Sequence, residues 1–274
     1  MNRLAVLMIL CAAYAGAARA VAADPPERLS LQRQREILRE ALNLFDDAVG
    51  SAYDDPTEAR RRFRRAATHF ETLADAGVRN AALEYNLGNT YMRLADLGRA
   101  VLHYRRAQRL EPAGRAVAAN LRYARNRVEP FIAPTGQSRL LHNLLFWQYS
   151  TTARQRFWAA AAFSGVGWLL MIVRLRRRNM PLFVLACACI LLGAANAGLV
   201  LWEQHQDATA PPAVLVDGEH FLRTGGGENY EPKIQRPLGS GVELRVLGRR
   251  GEWVEVELRD ESSGWIEAAA IQRI

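Results

Sequence analysis

Side chains able to do chemistry are few in this chain and poorly grouped. The five histidines stand at positions 69, 103, 142, 205 and 220. His69 and His103 are 34 residues apart, so they sit at equivalent points of any unit of that length. Two imidazoles without a third ligand or a carboxylate at ligand spacing make a poor metal site. Cys187 and Cys189 lie in an apolar run, two apart and therefore on different faces of a helix, where they read as small apolar residues. The glycine-rich "RTGGGENY" lacks the Lys-Ser/Thr pair and the following helix that a phosphate loop requires. No nucleophile, base and oxyanion donor stand together. The expectation is therefore a chain that is not an enzyme and carries no cofactor and no metal.

Recognition chemistry is better represented. "EYNLGNTYMRLADLGRAVLHYRRAQRLEP", residues 84 to 112, sets amides, phenols and guanidiniums among small residues at helical intervals. Tyr85, Asn89 and Arg93 recur every four residues, on one helical face. Asn86-Leu87 returns 34 residues later as Asn120-Leu121. Amides beside an Arg can hydrogen-bond an extended peptide or a terminal carboxylate. The same amides would equally serve hydrogen bonds between helices, and both readings stand.

The elements that position these groups follow from the small residues. With Glu84 at the fourth place of a 34-residue unit, Leu87, Gly88, Tyr91, Ala100, Tyr104, Ala107 and Pro112 fall on the structural signature of the tetratricopeptide repeat, which this stretch resembles. Only the first signature place departs, with Glu84 where Trp is usual. Small residues let antiparallel helices approach, aromatics fill the space opposite, and Pro112 ends the second helix. One repeat cannot bury its own apolar face, so neighbours are expected. Ala66 and Phe70 precede Ala100 and Tyr104 by 34 residues. "DPTE" at 55–58 caps their helix, and Ile37, Leu38, Ala41, Leu42 and Phe45 share the face of a helix before it. Residues 23–130 thus read as an all-α domain of about five helices. In such a stack the first helix of each repeat lines a concave groove, which nominates Tyr85, Asn86, Asn89, Arg93 and Asn120 for partner binding.

The formal charge is +8, and every basic residue but one is Arg. The charge is spread out: 19 Arg face 15 acids over residues 23–130, and 8 basic residues face 11 acids over 212–274. The densest run, "RRRFRR" at 60–65, reads as a solvated helix face. Nothing resembles a nucleic-acid-binding stripe, so no nucleic acid is expected.

The first 22 residues read as a secretory signal, with Arg3, an apolar stretch, and small-residue cleavage sites after Ala20 or Ala22. Two charge-free runs, 157–173 and 181–202, are flanked by Trp158, Trp168 and Trp202 and read as a transmembrane hairpin. "RLRRRN" lies between them, so the positive-inside rule places the loop 174–180 in the cytoplasm and both ends outside. Residues 131–156 form a linker that includes "SRLLHNLLFWQYS", suited either to the membrane boundary or to packing on the repeat domain. Residues 203–211 form a second, polar linker.

Beyond it the period changes to two. Val242, Leu244 and Val246 alternate on one strand, as do Val254, Val256 and Leu258 on the next, with Trp253, Glu255 and Glu257 outward. Residues 212–274 resemble a bacterial SH3 domain through "FLRTGGGENY", "PLGSGVELRVLGRRGEWVEVEL" and "GWIEAAAI". The resemblance implies an all-β SH3-like barrel, with Gly226 in place of the usual loop Pro and hence a looser loop. Tyr230 and Trp253 are placed to line a peptide or glycan groove, and packing at an exposed edge would also account for them.

The order of the parts resembles the tetratricopeptide proteins of bacterial aerotolerance (Bat) operons, the BatE family. That resemblance implies a non-enzymatic inner-membrane protein with both domains in the periplasm. It further implies a scaffold for protein–protein interaction in envelope integrity or stress tolerance, encoded beside von Willebrand A-type membrane proteins and a MoxR-type ATPase. The alternative is an anchor that grips cell-wall peptidoglycan through the SH3-like barrel.

Overall fold

The computed structural model describes residues 29–133, 135–136, 151–177 and 179–274. The expected signal segment and the stretch 138–150 lie outside the described residues. The described chain is mostly helical, with seven α-helices and a small antiparallel sheet at its C-terminal end.

Five helices come first: α1 (Leu31–Ser51), α2 (Pro56–Asp75), α3 (Ala81–Arg93), α4 (Leu97–Leu110) and α5 (Arg115–Arg125). The sequence writes four of their starts as side-chain caps. Ser30, Asp55, Asn80 and Asp96 each accept a hydrogen bond from the backbone N–H three residues on, at 2.8–3.2 Å. Pro56 occupies the first turn of α2, where its missing N–H is harmless. Helices α1/α2 and α3/α4 pack as hairpins, and α5 lies on α4. Small residues make the close approaches: Ala41, Ala66, Ala100 and Ala107 are fully buried, with Phe70, Leu87 and Tyr104 filling the space between helices.

Helices α6 (Ala153–Arg177) and α7 (Met180–Thr209) form a second, apolar hairpin. Both are long and apolar enough to cross a membrane. Their seam is built from small residues: a Cβ on Gly167 would lie 2.6 Å from Ile190, and one on Gly193 would lie 2.4 Å from the Ser164 hydroxyl. Large apolar side chains, including Trp158, Trp168, Leu191 and Trp202, point outward. At one end Arg156 pairs with Glu203 across the hairpin; at the other the Arg174 guanidinium sits 3.9 Å from the centre of the Phe183 ring.

The segment read from sequence as a polar linker, 203–211, mostly continues α7. Glu203, Gln204, His205, Gln206, Asp207 and Ala208 are all compatible with a helix, and no breaker intervenes before Pro211. The membrane-type helix therefore runs almost directly into the sheet.

That sheet is β4-β3-β2-β1-β5 in spatial order, all neighbours antiparallel: β1 (Pro212–Leu215), β2 (Glu243–Arg250), β3 (Trp253–Leu258), β4 (Ser263–Glu267) and β5 (Ile271–Arg273). Val242, Leu244, Val246, Val254, Val256 and Leu258 face the core, as the alternation requires. A bulge between Val246 and Gly248 bends β2. Gly251, at φ 61°, closes the β2–β3 hairpin in the left-handed region that glycine adopts freely.

The helices and the sheet are not separate bodies. Their buried residues form one continuous apolar cluster, from Ile37 and Leu87 through Val101 and Val128 to Val214 and Ile266. Three glycines allow the contact. A Cβ on Gly98 of α4 would lie 2.5 Å from the Val216 carbonyl oxygen. One on Gly239 would lie 2.6 Å from the Glu129 carbonyl oxygen, and one on Gly241 would lie 2.6 Å from Val128. The Gly239 N–H donates to the Glu129 carbonyl (2.9 Å), so the backbones themselves are joined.

Candidate functional site

Three of the nominated groove residues, Tyr85, Asn89 and Asn120, meet where α3, α4 and α5 converge. Asn89 Oδ1 accepts from the Tyr104 hydroxyl (2.8 Å) and from Asn120 Nδ2 (2.9 Å). Asn120 Nδ2 also reaches the Tyr85 hydroxyl (3.1 Å), and the Tyr85 and Tyr104 rings are tilted 6.1 Å apart. Tyr85, Asn89 and Asn120 are half-buried; burial pushes the Tyr104 phenol well above its ordinary range. Asn89 and Asn120 thus hold helices together, which favours the inter-helix reading for these two amides. Asn86 stands apart from this network: it is half-buried, and its carbonyl accepts from the Thr90 hydroxyl (2.7 Å). Arg93, at the end of α3, is exposed and has no ion-pair partner among the described residues.

The departure at Glu84 has a structural explanation. Its carboxylate is buried and lies 2.8 Å from His103 Nδ1, itself almost fully buried. The His103 ring stacks on Tyr91, with centroids 5.4 Å apart and planes 7° from parallel. The Tyr91 hydroxyl donates to Glu71, and burial together with that carboxylate pushes its phenol far up. Arg99, paired with Asp96 at 2.7 Å, lies over the outer side of the Tyr91 ring. Glu84 thus makes a polar contact inside the helical core, and His103 is its partner. His69 is paired in a looser way, 3.6 Å from Glu40. Among the described residues, no three His, Cys, Asp or Glu side chains are grouped to hold a metal ion.

At the junction with the sheet, Glu243 accepts from Arg125 at 2.5 and 2.9 Å and lies 3.1 Å from Arg105 Nε. Burial pushes the Glu243 carboxyl up, but the Arg105 and Arg125 guanidiniums outweigh it and hold it below the usual carboxylate range. Arg106 Nη2 donates to the Arg273 carbonyl (2.7 Å), and Arg109 pairs with Asp207 of α7 at 2.9 Å. Helix α4 is thereby tied both to the sheet and to the membrane-type hairpin. Sequence reasoning missed this cluster; its only signal was arginine on a helix otherwise explained by packing.

In the C-terminal sheet region, Tyr230 is half-exposed and lies across the glycine loop. A Cβ on Gly225 would lie 2.5 Å from its ring, and one on Gly226 would lie 3.0 Å from Trp265 and 3.2 Å from Trp253. The loop expected to be loose is instead clamped between aromatics, because only glycines let the rings close over it. Trp253 stands on the outward face with Glu255 and Glu257, as the alternation requires, and is half-buried there beside Gly226. It lines a cavity of about 240 Å³ with Glu219, His220, Phe221, Arg223 and Glu267. The Arg223 guanidinium is engaged by the Glu228 and Tyr230 carbonyls, at 2.9 and 2.8 Å.

The remaining nominated residues are structural. Leu87, Gly88, Tyr91, Ala100, Tyr104 and Ala107 are buried in the helical core, and Pro112 stands two residues beyond α4. Comparison with known proteins finds no matching family model, no matching curated protein and no matching solved structure.

Proposed function

We propose that the chain is a membrane-anchored adaptor of the tetratricopeptide/SH3-like kind, built like the BatE proteins of aerotolerance operons. It presents one face of its helical stack to a protein partner. Two spans hold it in a bacterial inner membrane with the helical domain and the barrel in the periplasm. By the resemblance, the partners are von Willebrand A-type membrane proteins working with a MoxR-type ATPase in envelope integrity or stress tolerance.

The observation that carries this reading is Arg93. It projects from a face made rigid by the Tyr85–Asn89–Asn120–Tyr104 network, and its planar fork of donors suits a carboxylate. Preorganisation of that kind reduces the ordering cost of binding. Tying α4 to both the barrel and the hairpin gives the face a defined standing above the membrane.

The test is crosslinking of the full-length tagged chain in its membranes. A partner captured by the wild type should be lost with Arg93→Glu and kept with Arg61→Glu on the exposed face of α2. Unchanged capture by Arg93→Glu would count against the groove.

The cavity beside Trp253 favours a second reading, a barrel that grips peptidoglycan. Full-length protein sedimenting with purified sacculi, and released by Trp253→Ala, would support it over the adaptor.

A further inference from the structure

Stacked helical repeats need a polar outer surface at each end, because no further repeat covers it. Helix α1, the first described helix of the stack, is charged over most of its outer surface but carries an apolar stripe there. Leu31, Leu38, Leu42 and Val49 are 72%, 37%, 38% and 41% exposed. With 3.6 residues per turn these four fall within about 40° of one another, in a single stripe. The stripe is distinct from the face of Ile37, Ala41 and Ala48 that is buried in the stack. Its charged flank is divided by sign. Arg35 stands in the N-terminal half and Asp46 in the C-terminal half, both exposed and both without an ion pair among the described residues.

We propose that α1 is a homodimer interface, in which the helices of two copies pack antiparallel about a two-fold axis that crosses the stripe midway between Leu38 and Leu42. In that register Leu38 faces the partner's Leu42, and Leu31 faces the partner's Val49. The stripe is therefore complementary to itself, as an isologous contact demands. An axis of this kind brings like flanks together with their directions reversed, so Arg35 lies opposite the partner's Asp46, twice per dimer. A parallel pairing sets that flank against the opposite one, where Gln34 and Phe45 offer no counter-charge. Charge thus selects the antiparallel arrangement and the second copy together. A lipid surface would cover the leucines but would leave Asp46 without a counterpart.

The geometry sets the experiment. Helices that pack 8–10 Å apart bring facing Cα atoms within about 5–6 Å, inside disulfide range. Leu38 and the partner's Leu38 are offset along the axis by about 6 Å more, which puts them out of range. Full-length chains with Cys11, Cys187 and Cys189 replaced by Ala are co-expressed with two different tags, one carrying Leu38→Cys and the other Leu42→Cys. After mild oxidation in membranes, the mixed 38–42 disulfide should exceed the 38–38 and 42–42 products about ten-fold. Arg35→Asp should cut it several-fold, and adding Asp46→Arg should restore it. Absence of crosslinked product, equal yields of all three products, or indifference to the charge reversal would overturn the proposal and leave the stripe to lipid or to another protein.

Discussion

The Tyr104 ring lies across the backbone of Gly88, so close that a Cβ on Gly88 would stand 2.5 Å from its Cδ1 and 2.6 Å from its Cε1. Tyr104 cannot swing aside, because its hydroxyl is held by Asn89 and the ring is fully buried. Gly88→Leu should therefore destabilise the helical domain by about 1–3 kcal/mol through overpacking. Thermal unfolding followed by circular dichroism checks this; a wild-type midpoint would mean that α3 and α4 do not pack in this register.

Gly98 answers to a different constraint. The atoms a side chain would meet belong to the Val216 backbone, which cannot rotate away. Gly98→Ala should loosen the sheet from α4 and expose the β1 edge to protease. Gly50→Ala, where nothing lies within 4 Å, should instead stabilise α1 by about 0.5–1 kcal/mol. Limited proteolysis and unfolding of the two variants separate the effects, which are opposite in sign.

These glycines also show how far the sequence could be read. Gly88 was legible because its partner Tyr104 belongs to the same local pattern of small and large residues. Strand faces were legible because alternation is local too, and Val254, Val256 and Leu258 are buried as expected. Gly98 carried no such signal, since what it accommodates lies in another module. The same holds for Arg125 and Glu243, 118 residues apart, whose pairing no periodicity announces. The polar run after Trp202 misled because its residues fit a helix as readily as a linker. Asn89 and Asn120 were found but ambiguous: an amide that binds a partner and one that bridges helices look alike until the neighbouring hydroxyls are placed.

Glu243 makes the junction sensitive to acid. Its carboxyl is held below its ordinary value when folded, so the unfolded chain binds the proton more readily. The resulting stability is present above the unfolded pKa of about 4.3 and is lost as pH falls through the folded value. Glu243→Gln should lower the unfolding temperature at pH 6, because Arg105 and Arg125 would be left without their counter-charge. The difference from wild type should shrink progressively below about pH 4. A difference that stays constant across that range would remove Glu243 from the junction's energetics.

In a membrane, the orientation of the two apolar helices would turn on the charges at the two ends of their hairpin. "RLRRRN" supplies four arginines at the turn, whereas Arg154 and Arg156 at the other end argue weakly against them. The pairing of Arg156 with Glu203 lessens that conflict, since the acid offsets one of the two cations. The turn should therefore remain on the cytoplasmic side. A reporter active only in the periplasm should be active when fused after Ile274 and inactive when fused after Arg177. Replacing Arg174, Arg176 and Arg177 with Glu should reduce the activity at Ile274, because the positive charge that would keep the turn inside is reversed. Activity after Arg177 with none after Ile274 would invert the topology and place the helical stack and the sheet in the cytoplasm.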